Sequence, residues 1–422
     1  MKPSEPNFFS DPTIIDDPQP YFDMMREKGP VTFEPHHHTL MVTGHDAVSE
    51  ILRSKDGTFS SAASVVGPIP PLPFTPEGDD ISEQIAAHAG EMPWGAHLVC
   101  FDGKKHTDFR MLLASLLTPQ RVRQNEEYLY GLSDRLIDGL IDKGRCNLVP
   151  EFAHAATTYA ISDIMGIPED HRAELLELIG APPSQLDGDA IHKIGADPLI
   201  FMKPRFDQYL IDRQKKPGTD LLSELANCHF KDGADPDLDQ LSCLARFLFG
   251  AGQDTTSRLI AMGIKIMAED KGLQEKLRQA PERIPDFIEE VLRYDPPVKV
   301  AYRLAVRRTE VAGIDITAGT LVTACLTGAS NDPAKFENPH EIDIDRPNLR
   351  EHMGFSRGKH ACLGAPLGRL ESRVAIERFL ARTKDFSLCE EHHGSPDNRH
   401  FRYEPTYTFR SLADLYVIFT PA

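Results

Sequence analysis

The chain has 422 residues, 41% of them hydrophobic, enough to bury a large core and even one deep cavity, in one large domain or two small ones. With 64 acidic and 46 basic residues the formal charge is −18, which argues against general affinity for nucleic acid or anionic membranes but leaves room for a local basic patch. The cysteines (Cys100, Cys146, Cys228, Cys243, Cys325, Cys362 and Cys389) are scattered and form no CxxC pair, pointing to reduced thiols in a cytoplasmic setting. No segment reaches the ~20 apolar residues that span a bilayer, and the first residues carry no signal-type stretch, so a soluble protein without a membrane anchor is expected.

After a proline-rich lead-in (1–20), residues 31–35 and 39–43 read as a hairpin whose turn holds His36, His37 and His38. Adjacent side chains in extended chain point to opposite faces, so this triplet reads as a solvated turn rather than a metal site. Residues 59–100 are the longest irregular stretch, with Pro68, Pro70, Pro71, Pro73, Pro76 and Pro93 among apolar residues and the single tryptophan, Trp94. A loop this long and apolar is expected to cover something.

From about 102 to 295 helical periodicity dominates, as in 126–143, with Pro217-Gly218 and Asp232-Gly233 as breaks. His106 and Arg110 stand four residues apart early in this region. The proline-free run 239–270 predicts one helix about 48 Å long, enough to cross most of the molecule. Its middle reads Gly250-Ala251-Gly252-Gln253-Asp254-Thr255-Thr256. Two glycines and two threonines lower helix propensity there, so something other than helix stability accounts for them. Small residues admit a bulky planar ligand, and a threonine hydroxyl can bond back to the i−4 carbonyl or release it, leaving a groove for water.

Glu290 and Arg293 share a helix face at i and i+3. Beyond 298 the pattern changes to short strands and turns, with Arg303 early in it and Arg346 in Asp343-Ile344-Asp345-Arg346-Pro347. Then comes the run Gly354-Phe355-Ser356-Arg357-Gly358-Lys359-His360-Ala361-Cys362-Leu363-Gly364, a glycine-hinged loop opening a helix over 365–382 with Pro366 in its first turn. Gly358 and Gly364 are expected to supply unusual backbone conformations, and Phe355 to pack over the sulfur. The N–H groups of the following helix favour a thiolate at Cys362. One thiolate with no second Cys or His at zinc spacing suits an axial ligand of haem iron.

Phe355, Gly358, His360, Cys362 and Gly364 fill a pattern that closely resembles the haem-binding signature of the cytochrome P-450 monooxygenases. Ala251, Gly252, Asp254, Thr255 and Thr256 resemble the same family's oxygen-activation motif, and Glu290 with Arg293 its Glu-x-x-Arg motif. The motifs come in the family's order along essentially the whole chain. Ala329-Ser330-Asn331-Asp332-Pro333 departs from the usual Asn-Arg-Asp-Pro arrangement, and the 59–100 loop is long for the bacterial type.

The resemblance implies a mainly α fold with small β-sheets, a single triangular-prism-like domain over 1–422, with haem b between the long helix and the Cys-loop helix (354–382). It implies that Cys362 ligates the iron and that Asp254 and Thr255 are the acid and alcohol that deliver protons. Ala251, Phe355 and Gly364 would flank the haem, and His106, Arg110, Arg303 and His360 would meet its propionates. Glu290 between Arg293 and Arg346 would be structural, pinning the loop before the thiolate.

Trp94 and its loop, Phe247, Leu248, Ala251, Val298, Val300, Ala301, Thr408 and Phe409 are expected to line an apolar pocket. The implied reaction is hydroxylation of a lipophilic molecule of terpenoid, steroid, aromatic or fatty type. It would use O2 and electrons from an iron-sulfur ferredoxin served by a flavin-dependent NAD(P)H reductase, since no flavin or nicotinamide site is visible. A monomer is expected, with Arg110, Arg121, Arg123, Arg357, Lys359 and Arg369 forming the ferredoxin patch. The alternatives are a peroxide-driven haem-thiolate enzyme, against which Asp254 and Thr255 count, and a non-catalytic haem sensor or carrier.

Overall fold

The computed structural model of the chain describes residues 5–65, 71–180 and 199–422. Leu238–Glu269 is one helix, displaced by a single residue at each end from the sequence expectation. Asp237 starts it with a capping box: its carboxylate accepts from the Gln240 amide, and the Gln240 side chain accepts from the Asp237 N–H. Two of the free donors at the helix start are thereby satisfied. Asp270 ends it and caps the next helix, Lys271–Gln279, by accepting from the Leu273 amide.

The two halves of this central helix are buried in different cores. Ile260, Ile264 and Met267 pack with Phe287, Val291, Ile376 and Phe379, from helices Ile284–Tyr294 and Ala365–Arg382. Leu241, Leu244 and Phe249 pack with apolar residues of Gly103–Leu116, Glu126–Ile141 and Ala155–Met165. Between the cores Ala251 is exposed and Asp254 and Thr255 are half-buried. A helix packed at both ends and open in its middle borders a cleft.

Among the described residues the β-structure lies in three small sheets. The strands are β1 (Val31–Phe33), β2 (Leu40–Val42), β3 (Phe59–Ser60), β4 (Arg145–Asn147), β5 (Val300–Ala305), β6 (Thr309–Val311), β7 (Ile314–Ile316), β8 (Leu321–Cys325), β9 (Thr383–Leu388) and β10 (Tyr416–Pro421). The largest sheet has the order β1-β2-β8-β5-β3, the second β4-β10-β9, and β6-β7 is a hairpin. The predicted first hairpin forms with Val31 opposite Val42 and Phe33 opposite Leu40. Its histidines turn to the N-terminal segment: His36 Nε2 is hydrogen-bonded to the Glu5 carbonyl and His37 Nε2 to Asn7.

Two expectations change. The 59–100 stretch is less irregular than its composition implies, since it contains β3, the helix Ser82–Ala87 and the turn Leu98–Cys100; Pro68 and Pro70 lie outside the described residues. Val300 does not face the cleft. Side chains alternate along β5, so Val300 and Tyr302 are buried with Phe8, Phe22, Met41 and Cys325, while Ala301 and Arg303 take the opposite face.

Candidate active site

The Cys362 loop is closed by its own backbone. The Cys362 amide donates to the Phe355 carbonyl at 2.9 Å, and the Ser356 amide to the Met353 carbonyl at 2.7 Å. Gly358 has φ +70°, and a Cβ there would meet the Leu52 carbonyl oxygen at 2.0 Å, so only glycine fits. Gly364 corrects the sequence reading: its φ of −79° is ordinary for any residue. A Cβ at Gly364 would sit 3.9 Å from Cys362 Sγ, so glycine there keeps one flank of the sulfur open.

Cys362 is exposed where it stands in the loop, yet the protein crowded around it raises its thiol pKa, while the amides of Gly364 and Ala365 and the charges of Arg110 and Arg369 pull it back toward the thiolate. The Phe355 ring carries the Arg369 guanidinium 4.5 Å from its centroid. Gly368, one turn into the following helix, would place a Cβ 3.4 Å from Thr256 Oγ1. That close approach sets the Cys loop beside the Ala251–Thr255 stretch.

His106, Arg110, Arg303 and His360 converge. The His106 and His360 rings are 4.0 Å apart, and His106 Nε2 is buried without a partner. His360 Nε2 is hydrogen-bonded to Ser61 Oγ at 2.9 Å. Burial, and then the charges of Arg303, His106, Arg110 and Lys359, push its pKa down to about 2. Arg303 donates to Ser64 Oγ and the Tyr302 carbonyl, and burial lowers its pKa to about 10. Arg110 donates to the Ala361 carbonyl at 2.6 Å. The nearby carboxylate, Asp102, already accepts from Ser60 and Ser61.

A buried cluster of cations and imidazoles with spare donors fits an anionic ligand group. Two carboxylates on a flat macrocycle, as in haem b, match it, with Cys362 and the small residues Ala251 and Gly364 suited to the rest of the ring.

Behind the loop the charges are fully spent. Arg293 grips fully buried Glu290 with two 2.8 Å hydrogen bonds, and Arg346 adds a third at 3.0 Å. Arg293 also donates to Asn331 Oδ1 and to the carbonyls of Pro339 and Glu341, so the departure at 329–333 supplies a buried partner for the motif arginine. Beside it, Glu289 accepts from Arg369 at 2.5 and 2.9 Å and is hydrogen-bonded to His352 at 3.1 Å. Arg369 therefore belongs to the scaffold and is not a free member of the basic patch.

On the cleft side Thr255 Oγ1 donates to the Ala251 carbonyl at 2.9 Å, the back-bond expected of a mid-helix threonine. Asp254 pairs with Arg258 at 2.7 Å, and Arg258 also reaches Glu404 at 3.5 Å. Phe409 lies 5.1 Å from the Arg258 guanidinium and bridges to Val298. Thr408 is tied to the residue just before β5 through its carbonyl, which accepts from the Lys299 amide at 2.8 Å. Trp94 reaches the central helix through buried His97: the rings are 5.2 Å apart, and His97 is 5.5 Å from Phe247. Leu248 packs into the helical core.

Sequence reasoning missed Ser61, Ser64, Glu289, Asn331, Arg258 and Glu404. Arg258 was within reach, since it follows Asp254 by one helical turn; Glu404 and the two serines are on loops that only the fold brings in.

The family profile described as cytochrome P-450 matches residues 201–400. A putative cytochrome P-450 140 of Mycobacterium tuberculosis is 30% identical over 389 residues, covering 89% of this chain and 85% of the relative. The biotin biosynthesis cytochrome P-450 of Bacillus subtilis is 29% identical over 318 residues, covering 74% and 78%. Among solved structures, Mycobacterium marinum cytochrome P-450 CYP150A6 in its substrate-free form superposes with a TM-score of 0.92 at 41% identity, covering 99% of both chains. P-450BioI bound to an acyl carrier protein bearing hexadec-9Z-enoic acid gives 0.80 at 25% identity, covering 96% and 99%. The described residues contain no helix long and apolar enough to cross a membrane. With its motifs, its fold and relatives of 30% identity or more over most of its length, the chain belongs to the cytochrome P-450 family of haem b monooxygenases.

Proposed function

We propose that this enzyme hydroxylates a lipophilic small molecule of terpenoid, steroid, aromatic or fatty type, drawing its electrons from an iron-sulfur ferredoxin and a flavin-dependent reductase. The observation that carries this reading is the accessible Asp254–Thr255 pair in the open middle of the central helix, beside the Cys362 loop. Bound haem would supply the activation of O2, and Cys362 would hold it as a thiolate.

The chain's own residues do the rest. Thr255 can exchange its bond to the Ala251 carbonyl for one to a water or a reacting oxygen, and Asp254 can pass it a proton. Arg258 ties Asp254 toward Glu404, which is partly solvent-accessible, giving the proton a way in from bulk. Phe247, Ala251, Val298, Ala301 and Phe409 are each at least partly exposed and offer apolar surface. The relative bound to a fatty acyl carrier protein makes fatty compounds the first class to screen.

Of the six cations expected there, Arg121 is paired with Glu224 and Arg110 and Arg369 are engaged at the loop, which leaves exposed Arg123 and Lys359, with half-buried Arg357, to meet a ferredoxin. Lys359→Glu should raise KM for ferredoxin several-fold and leave the substrate spin-state shift unchanged; an unchanged KM would remove that docking face.

The test is the carbon monoxide difference spectrum of the reduced protein, followed by turnover of lipophilic compounds. A band near ~450 nm and product formation that requires reduced ferredoxin support the reading. Product formation with peroxide alone would assign the peroxide-driven reaction instead.

A further inference from the structure

We propose that Cys389, Glu391 and His392 form a second metal site, for a soft divalent cation of the zinc class. They lie where β9 runs into the short helix Glu390–His393, outside the Cys362 loop. One ligand atom from each, a thiol sulfur, a carboxylate oxygen and a ring nitrogen, lies within 4.8 Å of the other two. A tetrahedral ion with bonds of about 2.0–2.3 Å needs donors about 3.3–3.8 Å apart. The exposed side chains of Glu391 and His392 can close that remaining ångström.

The backbone under the site is already fixed. The Cys389 amide donates to the Tyr416 carbonyl at 2.9 Å, and the His392 and His393 amides donate to the Cys389 carbonyl at 3.1 and 2.9 Å. The His392 ring stacks on Tyr416 at 3.7 Å with 12° between planes, which sets its plane and leaves its nitrogens at the edge. Neighbouring His393 is committed elsewhere, its Nε2 accepting from the Tyr416 amide and its Nδ1 hydrogen-bonded to the His400 carbonyl. Cys389 is buried and in no disulfide. Among the described residues the one cation paired with Glu391, Arg145, is 3.9 Å away, too far to hold the carboxylate against an ion.

Thiolate, imidazole and carboxylate together select zinc-like ions over calcium or magnesium, which favour all-oxygen shells. Binding replaces the thiol proton with the metal, and a water completes the tetrahedron. The ion would fix the turn from β9 into the helix Glu390–His393, at the base of the 394–415 segment that carries Glu404, Thr408 and Phe409.

The experiment is calorimetric titration of zinc chloride into the haem-loaded enzyme and into Cys389→Ser, Cys389→Ala and His392→Ala, with the carbon monoxide difference band as a check that each variant keeps its thiolate loop. The expected result is one saturable site, weakened in each variant by more than the ~10–100-fold that loss of an outer-shell partner costs, together with a zinc-dependent rise in Tm that the Cys389 variants lose. Glu391→Gln should weaken binding less, because the amide oxygen remains a donor. Zinc binding with unchanged affinity in the Cys389 and His392 variants would assign it to other surface histidines and overturn the proposal, as would the absence of saturable binding to the wild type.

Discussion

The network behind the Cys362 loop and the groove on the central helix use the same chemistry, carboxylates beside arginines, to opposite ends. Behind the loop Glu290 is wholly buried, and Arg293 and Arg346 both commit side-chain donors to it. In the groove Asp254 holds Arg258 by one contact, Arg258 is shared with Glu404, and two guanidinium nitrogens of Arg258 are left without partners. A saturated network can only hold position. One with spare hydrogen-bonding capacity can rearrange, as proton transfer requires.

The sharpest break between the two regions is chemical. Cys362→Ser removes the thiolate but leaves the loop's Phe355–Cys362 backbone bond in place. The carbon monoxide band should move from ~450 to ~420 nm and monooxygenation should be lost, with Tm little changed. A band that stays near ~450 nm would take the ligand role from Cys362. Next in size is Glu290→Gln. It leaves two buried guanidiniums facing a neutral group, a loss of about 3–5 kcal/mol, read as a large fall in Tm and in the yield of haem-loaded protein. A native Tm would mean that the pairing is dispensable.

Much of this division could be read from the chain, because both regions are built on helical spacing. Glu290 and Arg293 at i and i+3, Asp254 and Thr255 mid-helix, and Pro366 after the thiolate are local patterns with local meaning. What stayed hidden depends on contacts between distant segments. Val300 looks like any apolar pocket residue until the register of β5 against β8 fixes its face, and then it belongs with Phe8 and Phe22. Arg369 reads as a surface cation on a helix, yet the fold brings it onto Glu289, eighty residues away in sequence. The 59–100 stretch misled for another reason: its described prolines lie in the irregular pieces between short elements and draw attention away from the helix Ser82–Ala87.

In the groove, Asp254→Asn and Thr255→Ala test whether the spare capacity is used. Each should cut product formed per electron consumed by about 10²-fold, with the haem spectrum, substrate spin-state shift and Tm unchanged. Unchanged coupling in both would remove proton delivery from this pair. Arg258→Gln frees Asp254 without deleting it, so it should lower product formed per electron consumed by less than Asp254→Asn does.

The smallest effect expected belongs to the scaffold and is a pH dependence. Burial by itself would raise the pKa of Glu289, but hydrogen bonds from Arg369 and His352 override it and hold the carboxyl at about 2. A depressed carboxyl stabilises the fold fully above its unfolded value near 4.5, and that contribution is lost as pH falls toward 2. Acid unfolding of the wild type should therefore steepen within that window. Arg369→Ala removes the strongest partner, so Glu289 titrates closer to its unfolded value and the stability difference between variant and wild type should narrow as pH falls from 5 to 3. Partly exposed Arg369 limits the effect to on the order of 1–2 kcal/mol. The measurement is Tm against pH for the two proteins, with the Soret band recorded in parallel. Curves that run parallel from pH 7 to pH 3 would mean that Arg369 acts through packing on Phe355 alone. Curves that converge would show that the charge pair at Glu289 helps to hold the loop.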